Sequence, residues 1–218
     1  MGPRVSAEDA RSLYAAAVGP ARDPEFVRNN VHGADQQFAL LRQAVRFCKN
    51  RRIALDVGAH VGLWSIGLSQ FFDRVVAFEP VLENYMALDQ NIPQDMAAHM
   101  VALGADSRNV RMELPPGGNS GMWYAEADRL GPVAQCRLDE FQLYDVDFIK
   151  IDVEGLEGAV VRGGAATIER CQPLVFFEDN GLGPQRYEKW VDPKGELNDL
   201  GYVRLVRLQK NELWGPKL

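Results

Sequence analysis

Short apolar runs alternate with amphipathic stretches along the chain from residue 53 onward. The runs predict buried strands, and the stretches between them place apolar residues at helical spacing. The predicted strands cover residues 53–57, 74–78, 99–103, 147–151 and 174–177, and the predicted helices cover 63–72, 82–90 and 157–168. Alternation of this kind indicates right-handed crossovers and a mostly parallel, buried sheet.

Two segments depart from this alternation. Pro-Pro-Gly-Gly-Asn at 115–119 separates the apolar stretches 110–114 and 121–125, which predicts a surface hairpin inserted after the third strand. Residues 202–208 and 212–214 flank the turn-like 209–211, which predicts an antiparallel C-terminal hairpin. We therefore expect an α/β fold, a three-layer α-β-α sandwich around a mostly parallel, seven-stranded, Rossmann-like sheet.

The first 52 residues have a different pattern. Ser6 begins a predicted helix that ends at Gly19-Pro20, and a polar connection with His32 in it follows. Asp35 begins a second predicted helix, whose apolar positions are Phe38, Leu41, Val45 and Cys48. Neither helix is long enough to bury a core alone. We interpret residues 1–52 as a helical extension of one domain that spans 53–218.

Composition limits the classes of function. The 218 residues are 46% hydrophobic and 25% charged, as in ordinary globular proteins, and the net charge of −6 disfavours nucleic acid as a partner. Cys48, Cys136 and Cys171 are odd in number and widely spaced, which argues against a disulfide framework and for a reducing compartment. The sequence contains neither a leader pattern nor an apolar run of bilayer length, so we expect a cytoplasmic protein.

The loop after the first strand is the first candidate binding element. Asp56 ends the strand, and Gly58, His60 and Gly62 lead into a helix. A nicotinamide-binding loop would read G-x-G-x-x-G, whereas this loop reads G-x-x-x-G after an acid. It suits a ligand with an amino-acid moiety, whose ammonium group would meet Asp56 directly or through water. A glycine turn that serves only packing is the alternative.

The ends of the next two strands extend this candidate site. Glu79, followed by Pro80, ends the second strand, where an acid can accept hydrogen bonds from both hydroxyls of a ribose. An acid that caps the following helix is the alternative. Leu103 ends the predicted third strand, where an apolar lip can sandwich a purine. Together these positions predict an adenosine-bearing ligand.

The motifs that carry this chemistry occur in a familiar order. Asp-Val-Gly-Ala-His-Val-Gly at 56–62, Phe-Glu-Pro at 78–80 and Phe-Ile-Lys-Ile-Asp-Val-Glu-Gly at 148–155 precede Pro-Leu-Val-Phe-Phe-Glu at 173–178. Over roughly residues 53–180 the chain resembles the FkbM-type S-adenosylmethionine-dependent methyltransferases. The resemblance implies a class I methyltransferase fold, S-adenosyl-L-methionine as donor, and a hydroxyl acceptor on a sugar or natural product. The family more often has Asn where this chain has His60, which we expect to touch the cofactor.

Candidate catalytic residues lie at the ends of the fourth and fifth predicted strands. Lys150 and Asp152 point to one side of their strand because side chains alternate. Asp152 is placed to hold the donor's ammonium group or to position the acceptor. Lys150 serves either a structural ion pair or catalysis. Glu178 ends the next strand and is our candidate for acceptor contact or general base.

Asp152, Asp179 and Asn180 form an oxygen-rich set that would suit Mg²⁺. The set resembles the Asp and Asp-Asn ligands of catechol-type O-methyltransferases. Asp and Asn are also common in loops, and we favour that explanation and expect no metal.

The sequence thus predicts an S-adenosylmethionine-dependent O-methyltransferase that acts on a small-molecule or carbohydrate hydroxyl. A non-catalytic binding or assembly module that keeps the fold is the alternative. A nicotinamide dehydrogenase ranks third because of the loop spacing. An amino-methylating enzyme of nucleic acids is disfavoured because the fourth strand lacks the Asp/Asn-Pro-Pro-aromatic turn of those families. The acceptor and the oligomeric state stay open.

Overall fold

The computed structural model describes residues 36–217. The predicted first helix, the connection that contains His32, and the predicted cap Asp35 lie outside these residues. Residues 36–45 are helical (α1), and Phe38, Leu41 and Val45 are buried there, as the spacing predicts.

The remaining elements alternate along the chain much as predicted. The strands are β1 Ile53–Val57, β2 Arg74–Phe78, β3 Ala97–His99, β4 Ala102–Leu103, β5 Arg108–Glu113, β6 Tyr124–Ala127, β7 Val133–Cys136, β8 Val146–Ile151, β9 Leu174–Glu178, β10 Tyr202–Leu208 and β11 Asn211–Pro216. The helices are α2 Leu63–Ser69, α3 Leu82–Asn91, α4 Glu157–Gly163, α5 Ala165–Cys171, α6 Gly183–Arg186 and α7 Pro193–Asp199. A 3₁₀ turn covers Leu138–Phe141.

The larger sheet confirms the predicted fold class. Its seven strands follow the order β3-β2-β1-β8-β9-β11-β10. Neighbouring strands are parallel except for β11, which pairs antiparallel with both β9 and β10. The order reverses between β1 and β8, and open α/β sheets bind ligands at such a switch point, beyond the carboxyl ends of the strands.

The two faces of this sheet are buried by different helices, which gives three layers. Ile149 and Ile151 of β8 pack into a cluster with residues from α4, α5 and α7. Phe148 and Phe176 face the other side and pack with residues from α1 and α2. All six residues of β8 are buried, as expected for a central strand covered on both faces.

The predicted third strand over 99–103 is wrong, because the structure divides this segment between two sheets. Residues 97–99 pair with β2 at the edge of the large sheet, whereas Ala102 and Leu103 pair with β7 in a four-stranded sheet of order β4-β7-β5-β6. The chain turns between them, where the Val101 N–H donates to the His99 carbonyl at 3.0 Å. One continuous apolar run conceals the break, since the two short strands pair with strands that lie in different sheets and are distant in sequence.

The predicted surface hairpin is confirmed as the antiparallel pair β5 and β6, whose connection covers residues 114–123. It belongs to the smaller sheet because β5 also pairs with β7. The single helix predicted over 157–168 is instead α4 and α5, which meet at Gly164. Across residues 36–217, no helix combines the length and the apolar character needed to cross a membrane.

The contact between α4 and the segment that leaves β4 generates a stability prediction. A Cβ at Gly163 would lie 1.9 Å from the Gly104 carbonyl oxygen, so Gly163→Ala should destabilise the fold by about 1–3 kcal/mol through overpacking. Gly195→Ala in α7 is the matched control because its Cβ would meet nothing closer than 3.7 Å. Urea unfolding should show the control unchanged or stabilised by up to about 1 kcal/mol. Equal effects of the two substitutions would contradict this packing.

Candidate active site

A cavity of about 300 Å³ lies beside the carboxyl ends of β1, β2 and β8. Its walls come from both sheets: from the strand ends of the large sheet, from β4, and from residues 119–123 of the hairpin connection. Most of the predicted site residues lie together on these walls, namely Gly58, His60, Glu79, Pro80, Leu103, Lys150 and Asp152.

The loop after β1 approaches β8 so closely that only glycine fits at its first position. Gly58 has φ of 74°, and a Cβ there would lie 1.8 Å from the Asp152 carbonyl oxygen. Position 58 requires glycine for two reasons. Its backbone is in the left-handed region, and a side chain would collide with the Asp152 carbonyl. Gly62 also has a positive φ, but a Cβ there would meet Leu88 of α3, so Gly62 serves helix packing and is not a cavity-lining residue.

Glu79 ends β2 and turns its carboxylate toward the loop after β1. Its Oε2 accepts from the His60 N–H at 2.8 Å, and its Oε1 accepts from the Val81 N–H at 3.0 Å. Burial raises the pKa of Glu79 to about 7, although these hydrogen bonds oppose the shift. The carboxyl group therefore changes charge near neutral pH.

Asp56 forms a buried ion pair behind the cavity wall. It is fully buried, its Oδ1 lies 3.0 Å from Lys150 Nζ, and its Oδ2 accepts from the Ser65 hydroxyl at 2.7 Å. Burial lowers the pKa of Lys150, but the carboxylates of Asp56 and Asp152 raise it by more. Asp56 is not among the cavity-lining residues, so its contact with a ligand stays a prediction.

Three carboxylates converge where β8 and β9 end. One oxygen each of Asp152, Glu154 and Glu178 lies within 4.8 Å of the others. Burial, followed by the charge of Asp152, raises the pKa of both glutamates. Glu178 lies outside the cavity wall itself but shares this cluster with Asp152 and Glu154, which line it.

Glu154 is held by contacts that the sequence did not predict. Arg186 Nη1 lies 3.0 Å from Glu154 Oε2 and donates to the Glu154 carbonyl at 2.7 Å. The same guanidinium stacks over the Tyr124 ring, 4.8 Å from its centroid. Glu154 itself has φ of 58°. No sequence motif indicates that Arg186 binds Glu154, because the two residues are 32 positions apart.

In the alternative metal set of Asp152, Asp179 and Asn180, each member contacts different residues. Asp179 Oδ2 pairs with Lys194 Nζ at 2.8 Å. Asn180 Oδ1 accepts from the Leu182 N–H at 3.0 Å, and its amide donates to Glu178 Oε2 at 3.1 Å. The acids that approach Asp152 are instead Glu154 and Glu178.

His60 connects the loop after β1 to the hairpin connection. Its Nε2 lies 3.1 Å from the Ser120 hydroxyl, and burial, followed by the charge of Lys150, lowers the pKa of His60 to about 4. With this pKa the imidazole is neutral at physiological pH and a weak proton acceptor, which disfavours a role as general base and agrees with a cofactor-contacting loop residue. Asn84 of α3 also contacts Ser120, and no sequence motif indicates a role for either residue.

The buried pair behind the cavity makes a prediction about stability. Lys150→Met should destabilise the protein by about 3–5 kcal/mol because Asp56 would stay buried without its cation. The double variant Lys150→Met with Asp56→Asn should regain much of this loss. Arg162→Met, which removes an exposed ion pair with Glu196, is the control and should cost at most about 1 kcal/mol. Denaturant unfolding measures all three, and a double variant no more stable than Lys150→Met would count against the pair.

The fold resembles those of several solved methyltransferase structures. A methyltransferase FkbM from Methylobacillus flagellatus KT superposes with a TM-score of 0.50 at 17% identity, over 95% of this chain and 58% of that one. A magnesium protoporphyrin IX methyltransferase from Synechocystis PCC 6803 gives 0.52 at 12% identity, over 94% and 90%. A putative O-methyltransferase from Klebsiella pneumoniae gives 0.51 at 13%, over 100% and 92%. These likenesses show the fold alone.

No curated protein matches the chain in a sequence comparison. The chain spans 58% of the length of the FkbM structure from Methylobacillus flagellatus KT. The family model described as the methyltransferase FkbM domain matches residues 56–204, which include all the predicted site residues. The chain therefore belongs to the FkbM-type family of S-adenosylmethionine-dependent methyltransferases.

Proposed function

We propose that this protein transfers a methyl group from S-adenosyl-L-methionine to a hydroxyl oxygen of a sugar or a small natural-product-like molecule. One observation carries the proposal. A cavity bordered by Glu79 extends to the acids Asp152 and Glu154, and Glu178 completes their cluster at the neighbouring strand end. In this proposal Glu79 binds the ribose in the cavity, and Glu178 accepts the proton from beside Asp152 and Glu154.

The residues of the cavity fit the donor. Glu79 offers carboxylate oxygens for the ribose hydroxyls, and Leu103 and Met112 supply apolar surface for a purine. The glycine at position 58 leaves the loop backbone open for the amino-acid end, where the donor's ammonium group needs an anion. Asp152 suits that role better than Asp56, because 43% of its side chain is exposed whereas Asp56 is buried against Lys150.

Catalysis by this site would rest on orientation and on one proton transfer. The donor supplies an electrophilic methyl group on a sulfonium. Holding a hydroxyl in line with it can contribute about 7–11 kcal/mol of barrier reduction, and a general base adds about 10²–10⁴-fold. We assign the base to Glu178, which would take the hydroxyl proton as the oxygen–carbon bond forms and the donor's sulfur–methyl bond breaks, with the sulfur leaving as a neutral thioether. Lys150 is a positioning residue that fixes Asp56 and Asp152.

The acceptor that we propose is a small molecule and not a nucleic acid. The three carboxylates at the acceptor end would repel phosphate groups, and the net charge of the chain is −6. We propose that residues 53–218 form the catalytic domain with 1–52 as its extension, and that the protein acts in the cytoplasm without a metal. The odd number and wide spacing of Cys48, Cys136 and Cys171 support the proposal of a reducing compartment.

The role of Glu79 predicts how donor affinity depends on pH. Glu79→Gln should weaken donor binding about tenfold or more in calorimetry, because hydrogen bonds to a charged acceptor contribute about 1.5–3 kcal/mol each. In the unsubstituted protein, affinity should rise between pH 6 and 8 as Glu79, with a pKa of about 7, loses its proton and gains an acceptor. The Gln variant should lack this rise. Glu196→Gln, on α7, is the control and should bind as the unsubstituted protein does.

Glu178→Gln should lower the turnover of methyl-labelled donor with a panel of hydroxylated acceptors by about 10²–10⁴-fold. Donor affinity in calorimetry should not change, because the substitution removes the base and not the cavity wall. Full turnover in this variant would show that a residue other than Glu178 is the base. Transfer to none of the acceptors, despite tight donor binding, would overturn the proposed acceptor class.

A further inference from the structure

The hairpin connection of the smaller sheet covers one side of the donor cavity. Five consecutive residues, 119–123, line the cavity, although the strands that carry them belong to a different sheet from β1, β2 and β8. The wall formed by this connection therefore depends on how it is held against the large sheet.

Ser120 makes the contacts that hold it there. The Asn84 side-chain amide donates to the Ser120 carbonyl at 3.0 Å, and the Ser120 hydroxyl lies 3.1 Å from His60 Nε2. Both partners also contact the carboxylate of Glu79. The Asn84 amide lies 3.5 Å from Oε1, and the His60 backbone N–H lies 2.8 Å from Oε2. The connection is thus tied to the same acid that we assign to the ribose.

The connection is ordered by its own hydrogen bonds. Asn119 Oδ1 accepts from the Gly121 N–H at 3.0 Å, and the Asn119 carbonyl accepts from the Met122 N–H at 3.0 Å. The Gly118 N–H donates to the Pro115 carbonyl at 2.8 Å. The two contacts of Ser120 hold this segment against the large sheet. Without them its internal bonds would open more often.

We propose that residues 114–123 form a lid over the donor cavity, and that Asn84 and Ser120 are positioning residues that latch the lid to Glu79. The inference rests on the proposed donor site. Two hydrogen bonds are a weak latch, so on the order of one molecule in ten to one in a hundred would be open at any time. Opening admits the donor, and closure completes the wall around it.

The two hydrogen bonds of Ser120 join neutral groups, and the partners of Ser120 are also bonded to Glu79, whose charge changes near pH 7. His60 stays uncharged at physiological pH because burial and Lys150 disfavour its cation. The charged groups that face Ser120's partners are Glu79 and Lys150, both on the large sheet. Donor release should therefore respond to loss of the hydroxyl or the amide and not to the ionisation of His60 between pH 6 and 8.

Donor dissociation tests the latch. Stopped-flow fluorescence, with Trp123 in the cavity wall as reporter, should show dissociation about 5–50-fold faster in Asn84→Ala and about 3–10-fold faster in Ser120→Ala. Ser120→Thr keeps the hydroxyl and should restore most of the slow rate. Asn109→Ala is the matched control, since its amide also donates to a backbone carbonyl, that of Arg129, elsewhere in the smaller sheet. Its dissociation rate should equal that of the unsubstituted protein.

A second measurement needs no donor. Amide hydrogen exchange at Gly121 and Met122 should be faster in Asn84→Ala and Ser120→Ala than in the unsubstituted protein and in Asn109→Ala. Unchanged dissociation and exchange in both latch variants would overturn the proposal. An unsubstituted protein that binds no donor would overturn the proposed function instead, and the exchange rates would then decide the latch alone.

Discussion

The buried ion pair between Lys150 and Asp56 is the constraint on which the site depends. The two residues are register partners on the adjacent strands β8 and β1, so their side chains extend side by side toward the same face. Lys150 also donates to the Gly58 carbonyl at 2.8 Å, which fixes the loop that follows β1. The Lys150 ammonium group therefore fixes the position of the end of β1 and of the loop that follows it, which together form part of the cavity wall. Such a pair costs desolvation, and its gain is the fixed geometry of the strand ends.

The acids near this pair differ in which cation compensates their charge. Lys150 compensates Asp56 and approaches Asp152 at 3.7 Å, while Arg186 compensates Glu154. The Glu178 carboxylate accepts from the Asn180 side-chain amide at 3.1 Å. Burial raises the pKa of Glu178, and the charge of Asp152 adds to this effect. Of the three converging acids, Glu178 is the one whose surroundings best suit the uptake of a proton.

Local pattern predicted the large sheet well and the smaller sheet poorly. The strands at 53–57, 74–78 and 202–208 have the predicted bounds, because each is an apolar run between polar or turn residues. The strand β4 was merged with β3 into one predicted strand, and β7 was missed because it is short and only one of its four residues is buried. Two short helices, α6 and α7, also follow β9 without a strong apolar period.

The same distinction applies to the candidate site. Residues at strand ends were predicted because the chemistry of Glu79 and Asp152 follows from their place in a parallel sheet. Arg186 and Asn84 were not predicted, because each contacts a residue that is distant in sequence and neither lies in a recognisable motif. Asp56 was placed in the right strand but was expected at the ligand. Lys150 was expected on the same side of its strand as Asp152, and its pairing with Asp56 across to β1 was not predicted.

The cavity takes its walls from two sheets whose strands form separate hydrogen-bonded ladders within residues 36–217. A molecule seated between them would contact both and would bind only when both are in place. Its binding free energy would therefore add to the cohesion of the two sheets, by the linkage that stabilises any native state with a ligand of its own. In a cell that keeps such a ligand in excess, the contact between the two sheets would be stabilised most of the time. When the ligand is scarce, this contact would lose that stabilisation.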